Sequence, residues 1–231
     1  MLANKRILII GNSHNVALFK NLDVFNNAGI DVDFLHSKGE SLLDLVDFSS
    51  ITLKLKDNSN PNLNKRVQRI KSLIEYDHVI VYGLRLRAWG DGNGNWNDLI
   101  TLDNRYSTQV ILTSINQFIE DSAHYQILSQ LKKITEGIDV ISLPGPLPII
   151  PEEFDRSINF NFVEKFSCIL KEKIQSLGAR YSATPRELED STGCFTAEEF
   201  KSEKRNDYIH LNNVGGKLMV EHIIKCLDES L

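Results

Sequence analysis

Cysteine is scarce in this chain: Cys168, Cys194 and Cys226 are three among 231 residues, an odd number with no paired spacing. That excludes a disulfide framework, and it offers no zinc-ligand pattern. Long apolar runs are missing too. After Lys5 and Arg6 the run Ile7-Leu8-Ile9-Ile10 falls short of the roughly 7–15 apolar residues of a secretion signal. It falls further short of the about 20 needed for a membrane span. No span is expected, and the chain as it stands reads as cytoplasmic. A basic excess is also lacking. Lys plus Arg total 26 against 31 Asp plus Glu, a net charge of −5, which argues against a general nucleic-acid binder. Neither Gly-x-Gly-x-x-Gly nor Gly-x-x-x-x-Gly-Lys-Ser/Thr occurs, so a phosphate-cradling first turn is disfavoured. There is no repeat and no Pro/Gly-rich linker. With 42% hydrophobic and 25% charged residues, residues 1–231 read as a single globular α/β domain.

What is present is concentrated at the two ends. Near the start, Ile7 to Ile10 form a short strand buried on both faces, closed by Gly11-Asn12-Ser13-His14. From Asn15 on, Val16, Ala17, Phe19, Leu22, Val24 and Phe25 fall at helical spacing. A turn this tight aims a short polar side chain at the carboxyl edge of the sheet, where open α/β folds place ligands. Free backbone N–H groups at the start of the helix lie beside it. Two readings of Asn12 and Ser13 follow: helix caps, or a nucleophile held next to anion-stabilising donors.

The C-terminal stretch reads Asn206-Asp207-Tyr208-Ile209-His210, ahead of an amphipathic helix carrying Leu218, Met219, Ile223, Ile224 and Leu227. A spacing of three lets the Asp207 carboxylate turn back onto the His210 imidazole, fixing its tautomer and stabilising its protonated form. A serine needs such a partner to lose its proton during attack. The two motifs together resemble the SGNH (GDSL-type) hydrolase superfamily, and more closely its members associated with bacterial polysaccharides. In that family the serine lies in a Gly-Asp-Ser turn after the first strand, and Asp-x-x-His lies near the C-terminus. Asn12 replaces the usual aspartate here. The resemblance implies a catalytic set of Ser13, Asp207 and His210, with no metal and no cofactor. It also implies an oxyanion hole built from the backbone of Ser13 and of Gly39, the glycine between the second strand and the next helix. Read by itself, Gly39 is simply a loop glycine.

One departure stands out. The family's third block is Gly-x-Asn-Asp, whose asparagine completes the oxyanion hole, but this chain has Gly83-Leu84-Arg85-Leu86. Arg85 is read three ways: as the replacement donor, as an anchor (with Arg87) for an anionic substrate group, or as the sign of a weakened site. The stretch from Ala88 to Asp98 follows, with both tryptophans of the chain among its glycines and asparagines. It is either a substrate-facing loop, since aromatic rings stack on sugars while amides bond hydroxyls, or a loop anchored by its own tryptophans. Asn12, His14, Gly83, Trp89, Asn95 and Trp96 are accordingly the candidate substrate-binding residues. His14 also fits a plain turn residue, and Cys194 a small loop residue. His36, His78, His124 and His222 belong to no motif and are read as structural.

In between, the pattern alternates strands and helices. Strands are expected at Ile30–Leu35, Tyr76–Gly83, Ile138–Leu143 and Ala179–Ala183, with an extra edge strand at Ile51–Leu55. Asp57–Asn64 reads as a polar loop, followed by a helix whose basic face (Lys65, Arg66, Arg69, Lys71) is expected to be solvated. Gln109–Thr113 has strand propensity, but one helical stripe runs from about Val110 to Ile134, read either as unbroken or as broken near Glu120–Ala123. The expected fold class is α/β: a three-layer α/β/α sandwich around a parallel five-stranded sheet, for which the resemblance implies strand order 2-1-3-4-5. The expected activity is acyl transfer through an acyl-serine on an acylated carbohydrate or other small ester. Water as acceptor makes an esterase, and a sugar hydroxyl makes an O-acetyltransferase. A non-catalytic carbohydrate-binding module on the same fold is the alternative of another class.

Overall fold

The computed structural model describes residues 4–37, 42–56, 60–84, 106–147, 149, 160–204, 207 and 209–228. Its centre is a parallel sheet of five strands: β1 Lys5–Gly11, β2 Ile30–His36, β5 His78–Tyr82, β6 Asp139–Leu143 and β7 Arg180–Tyr181. They lie in the order β2-β1-β5-β6-β7, which is 2-1-3-4-5 counted along the chain. Every pairing in the sheet is parallel. Two residues per side, β3 Val46–Asp47 and β4 Lys54–Leu55, form a separate antiparallel ladder. The edge strand expected at Ile51–Leu55 is thus shorter and belongs to this ladder, not to the main sheet.

Alternation along the central strands builds the layers, because successive side chains point to opposite faces. Leu8, Ile10, Val79, Val81 and Val140 face one core; Ile7, Ile9, Ile80, Tyr82 and Ile141 face the other. The first core is closed by α3 Leu42–Leu45, α4 Pro61–Arg69, α5 Thr108–Asp121, α6 Ala123–Ile134 and α7 Phe160–Ser176. The second is closed by α1 Asn15–Phe19, α2 Leu22–Asn27 and α8 Asn213–Asp228. The result is the expected three-layer sandwich. No helix among the described residues is long and apolar enough to cross a membrane.

Local chemistry explains where the elements depart from the apolar pattern. The stripe from Val110 to Ile134 is two helices, because Ser122 adopts an extended backbone and its Oγ accepts the Tyr125 N–H. Asp57–Asn64 is not all loop. The Asn60 side chain accepts the Leu63 N–H and Pro61 occupies the first helical position, two favoured N-terminal devices that start α4 early. The first helix is also divided, at Lys20–Asn21, where Asn21 turns its amide onto the Ala17 carbonyl.

Charged groups, one of them buried, tie the strands together. Asp33 on β2 is buried, yet it meets Arg6 at 3.0 Å and Arg69 at 2.7 Å and accepts the Tyr76 hydroxyl at 2.9 Å. The basic face of α4 is therefore not simply solvated: Arg69 is committed to this buried carboxylate. At the far side of the sheet, Asp139 accepts from His78 Nδ1 at 2.9 Å and from Arg180 Nη2 at 2.6 Å, linking β5, β6 and β7. Burial pushes the Asp139 pKa up, but the hydrogen bonds from His78 and Arg180 pull it further down, to about 2 against the usual 3.8.

A depressed folded-state pKa means that the unfolded chain takes up the proton first as pH falls. The contribution, on the order of 2 kcal/mol, is complete above about pH 4 and lost as pH drops to about 2. Asp139→Asn should lower stability at neutral pH and flatten the acid limb across that interval, as read by urea denaturation at a series of pH values.

Candidate active site

The turn after β1 is shaped by contacts that leave little room. A Cβ on Gly11 would lie 2.6 Å from Asn15 Oδ1 and 2.7 Å from the Tyr82 carbonyl, so only glycine fits. Asn12 Oδ1 accepts the backbone N–H of His14 at 3.1 Å. The two sequence readings are thereby divided between neighbours: Asn12 tethers the turn, and Ser13 is left for another partner. Helix α1 spans only five residues, so its dipole is small compared with that of a long helix.

At the other end of the chain, the Asp207–His210 loop is held from both sides. Ser202 N–H donates to the His210 carbonyl at 2.9 Å, and Asn212 Nδ2 donates to the Glu199 carbonyl at 2.7 Å. Asn212 Oδ1 accepts the Gly215 N–H at the start of α8. The helix then packs against α1 at Gly216, where a Cβ would come within 2.6 Å of the Ala17 carbonyl oxygen. Asn21 Nδ2, which also bonds the Ala17 carbonyl, reaches Asn213 Oδ1 at 3.2 Å.

This packing brings residues 197 positions apart into contact: Ser13 Oγ lies 2.8 Å from His210 Nε2. His210 Nδ1 lies 2.9 Å from Asp207 Oδ1 and 3.0 Å from Oδ2. A carboxylate can only accept, so Nδ1 carries the proton and Nε2 is the acceptor for the serine hydroxyl. Burial raises the Asp207 pKa. Hydrogen bonds from the His210 ring and backbone and from the Ile209 N–H outweigh it, holding the carboxyl below its usual value. The three groups stand in hydrogen-bond sequence, in the order hydroxyl, imidazole and carboxylate. Among the described residues, the Ser13 N–H has no acceptor in the chain.

The other residues singled out in the sequence are distributed unevenly. His14 is buried, its ring 5.2 Å from that of His210 and 6.3 Å from that of Tyr82, so it packs between the two. Gly83 lies at the end of β5, donating to the Leu143 carbonyl and accepting from His124 Nδ1. Gly39, Arg85, Trp89, Asn95 and Trp96 lie outside the described residues. His124 bonds Ser142 Oγ with its other nitrogen, and burial lowers its pKa to about 4, so it is a neutral strut. Burial raises the Cys194 thiol pKa, which keeps it protonated and unreactive. No group of His, Cys, Asp and Glu among the described residues has the arrangement of a metal site.

A cleft of about 480 Å³ opens beside Ser13 and His210, and Lys20, His36, Ser37, Arg66 and Lys204 line it. Sequence patterning missed these residues. His36 and Ser37 directly follow β2, at the sheet edge where ligands gather, and that position was the available signal.

Comparison with known structures agrees with this architecture. The periplasmic domain of a lipopolysaccharide acetyltransferase from Salmonella Paratyphi A is 16% identical, with a TM-score of 0.51 over 98% of this chain and 85% of its own. A GDSL-like lipase from Bacteroides thetaiotaomicron is 14% identical at 0.51, over 99% and 90% of the two chains. An extracellular lipase from Streptomyces rimosus is 11% identical at 0.51, over 96% and 99%. This chain has the SGNH-hydrolase fold. At these identities the likeness concerns the fold. No family model matches the sequence, and no curated protein sequence matches it.

Within this SGNH fold, the approach of α8 to α1 sets the Ser13–His210 distance. Gly216→Ala should force the two backbones apart and cost about 1–3 kcal/mol. The loss is measurable by chemical denaturation, with a parallel fall in labelling of Ser13 by a fluorophosphonate.

Proposed function

We propose that the protein is a serine esterase of the SGNH type that removes acyl groups, acetyl foremost, from a carbohydrate or other small ester. The observation that carries this reading is the continuous chain of hydrogen bonds from Ser13 Oγ through His210 to Asp207. In the proposed reaction Ser13 Oγ attacks the ester carbonyl carbon while His210 Nε2 takes its proton. The tetrahedral intermediate collapses, and the same proton passes to the leaving alkoxide, leaving an acyl-Ser13. Water then gives a proton to Nε2 and attacks the acyl carbon, and Ser13 regains its proton as the acid departs.

Asp207 keeps Nδ1–H oriented and stabilises the imidazolium. The backbone N–H groups of Ser13 and Gly39 receive the oxyanion, with Arg85 in the place of the family's asparagine. Trp89, Asn95 and Trp96 are assigned to the sugar, with Asn12, His14 and Gly83 shaping the floor beneath. Transfer of the acyl group to a sugar hydroxyl is the second reading. It is favoured by the likeness of the fold to an acetyltransferase domain, and it differs only in which hydroxyl enters.

Ser13→Ala should lower kcat for p-nitrophenyl acetate by about a thousandfold or more, and retention of full activity removes Ser13 from the mechanism. Asp207→Asn should keep the fold but lower kcat by roughly 10²–10⁴ by releasing the wrong imidazole tautomer. Mass spectrometry of acetylated glycans incubated with and without an acceptor sugar separates hydrolysis from transfer.

A further inference from the structure

The cleft beside Ser13 has a charge opposite to that of the chain as a whole. Net charge is −5, yet Lys20, Arg66 and Lys204 line the cleft, and Asp207, already engaged by His210, is its one carboxylate among the described lining residues. Arg66 is half-buried in the last turn of α4. Its neighbour Arg69 is paired with Asp33. Arg66 has no carboxylate within ion-pair distance among the described residues; its Nη1 donates to the His36 carbonyl at 2.6 Å. That single bond holds the guanidinium in place and leaves most of its five N–H donors for a ligand.

Two further groups point the same way. Ser37 is 4% exposed and lines the cleft, and among the described residues its buried hydroxyl has no hydrogen-bond partner. A buried hydroxyl left unbonded carries a desolvation cost that a bound acceptor would remove. His36, also in the wall, is kept neutral with a pKa of about 4, by burial first and by the Arg66 charge second, so it too can serve a bound anion as a neutral donor.

We propose that the molecule bearing the ester carries an anionic group, a carboxylate or a phosphate, that sits on Arg66 and Ser37 while its acyl carbon is presented to Ser13. This rests on the serine-esterase reading of the same cleft. Lys20 and Lys204, at the surface, draw the anion in, and Arg66 binds it by charge-assisted hydrogen bonds.

The test separates the anion site from the chemistry. Binding of methyl β-D-glucuronide, glucose 6-phosphate and methyl β-D-glucoside to the full chain carrying Ser13→Ala is measured by NMR titration at low salt. At least one of the two anions should bind about tenfold or more tightly than the neutral glucoside, and whichever binds more tightly identifies carboxylate or phosphate. Arg66→Gln should reduce that advantage to less than about threefold, Arg66→Lys should keep part of it, and added salt should erode it. Equal affinity for all three, absence of binding included, or an advantage that survives Arg66→Gln overturns the proposal. If the preference appears while the wild-type chain cleaves no acetyl ester of these sugars, the esterase reading fails and the anion site stands.

Discussion

The close approach of α8 to α1 governs everything at the sheet edge. Gly216 carries no side chain, so its backbone can lie against the Ala17 carbonyl, and Asn21 bonds across the same seam. The energy for that approach does not come from the polar side chains it aligns. It comes from Met219, Val220, Ile223 and Leu227, which share an apolar core with Leu18, Phe25, Ile7 and Ile9. The entropic cost of joining ends so far apart in sequence grows only slowly with loop length, so ordinary hydrophobic burial is enough to offset it. The Ser13–His210 contact is thus a consequence of core packing.

The sheet imposes a second constraint. A parallel strand covered on both faces can carry few polar groups, and those it carries must be satisfied inside the protein. Asp33, Asp139 and His124 meet that demand by bonding across strands or between sheet and helix. Their bonds hold the strand ends in register, and the carboxyl ends of β1, β2 and β5 then present Ser13, His36 and Gly83 along one edge. Polar groups inside the layers do structural work, whereas polar groups at the edge have fewer partners among the described residues. Arg66 and Ser37 are the instance where that division becomes visible, since neither is used up by the fold.

How much of this was legible depended on how local the cause was. The central strands were readable from β-branched runs, because each is decided within a few residues; the break between α5 and α6 was left open, since the apolar stripe continues across it and Ser122 makes the break. Asp-x-x-His was readable for the same reason: a spacing of three lets a carboxylate reach an imidazole without help from elsewhere. The start of α4 was misread, because a polar stretch looks like a loop until Asn60 and Pro61 are weighed as a cap and a first helical residue. The basic face of that helix is largely solvated as expected, with Lys65, Arg69 and Lys71 exposed, but the pairing of Arg69 and the half-burial of Arg66 were not legible, for a deeper reason. Whether an arginine is solvated, paired or aimed into a cleft depends on what lies across from it, and Asp33 and His36 come from a different strand.

By itself, the sequence determined the alternation of strands and helices, the serine turn after the first strand and the acid–histidine pair near the far end, all set by short-range periodicity and spacing. Only the tertiary structure decided that those ends meet, that Asn12 tethers the turn while Ser13 faces His210, and that Arg66 lines the cleft while the exposed Arg69 pairs with the buried Asp33 carboxylate. The physical reason is range. Backbone propensity acts over a few residues, whereas partners for charge and for hydrogen bonds are assigned by packing, which brings together residues that no local pattern relates.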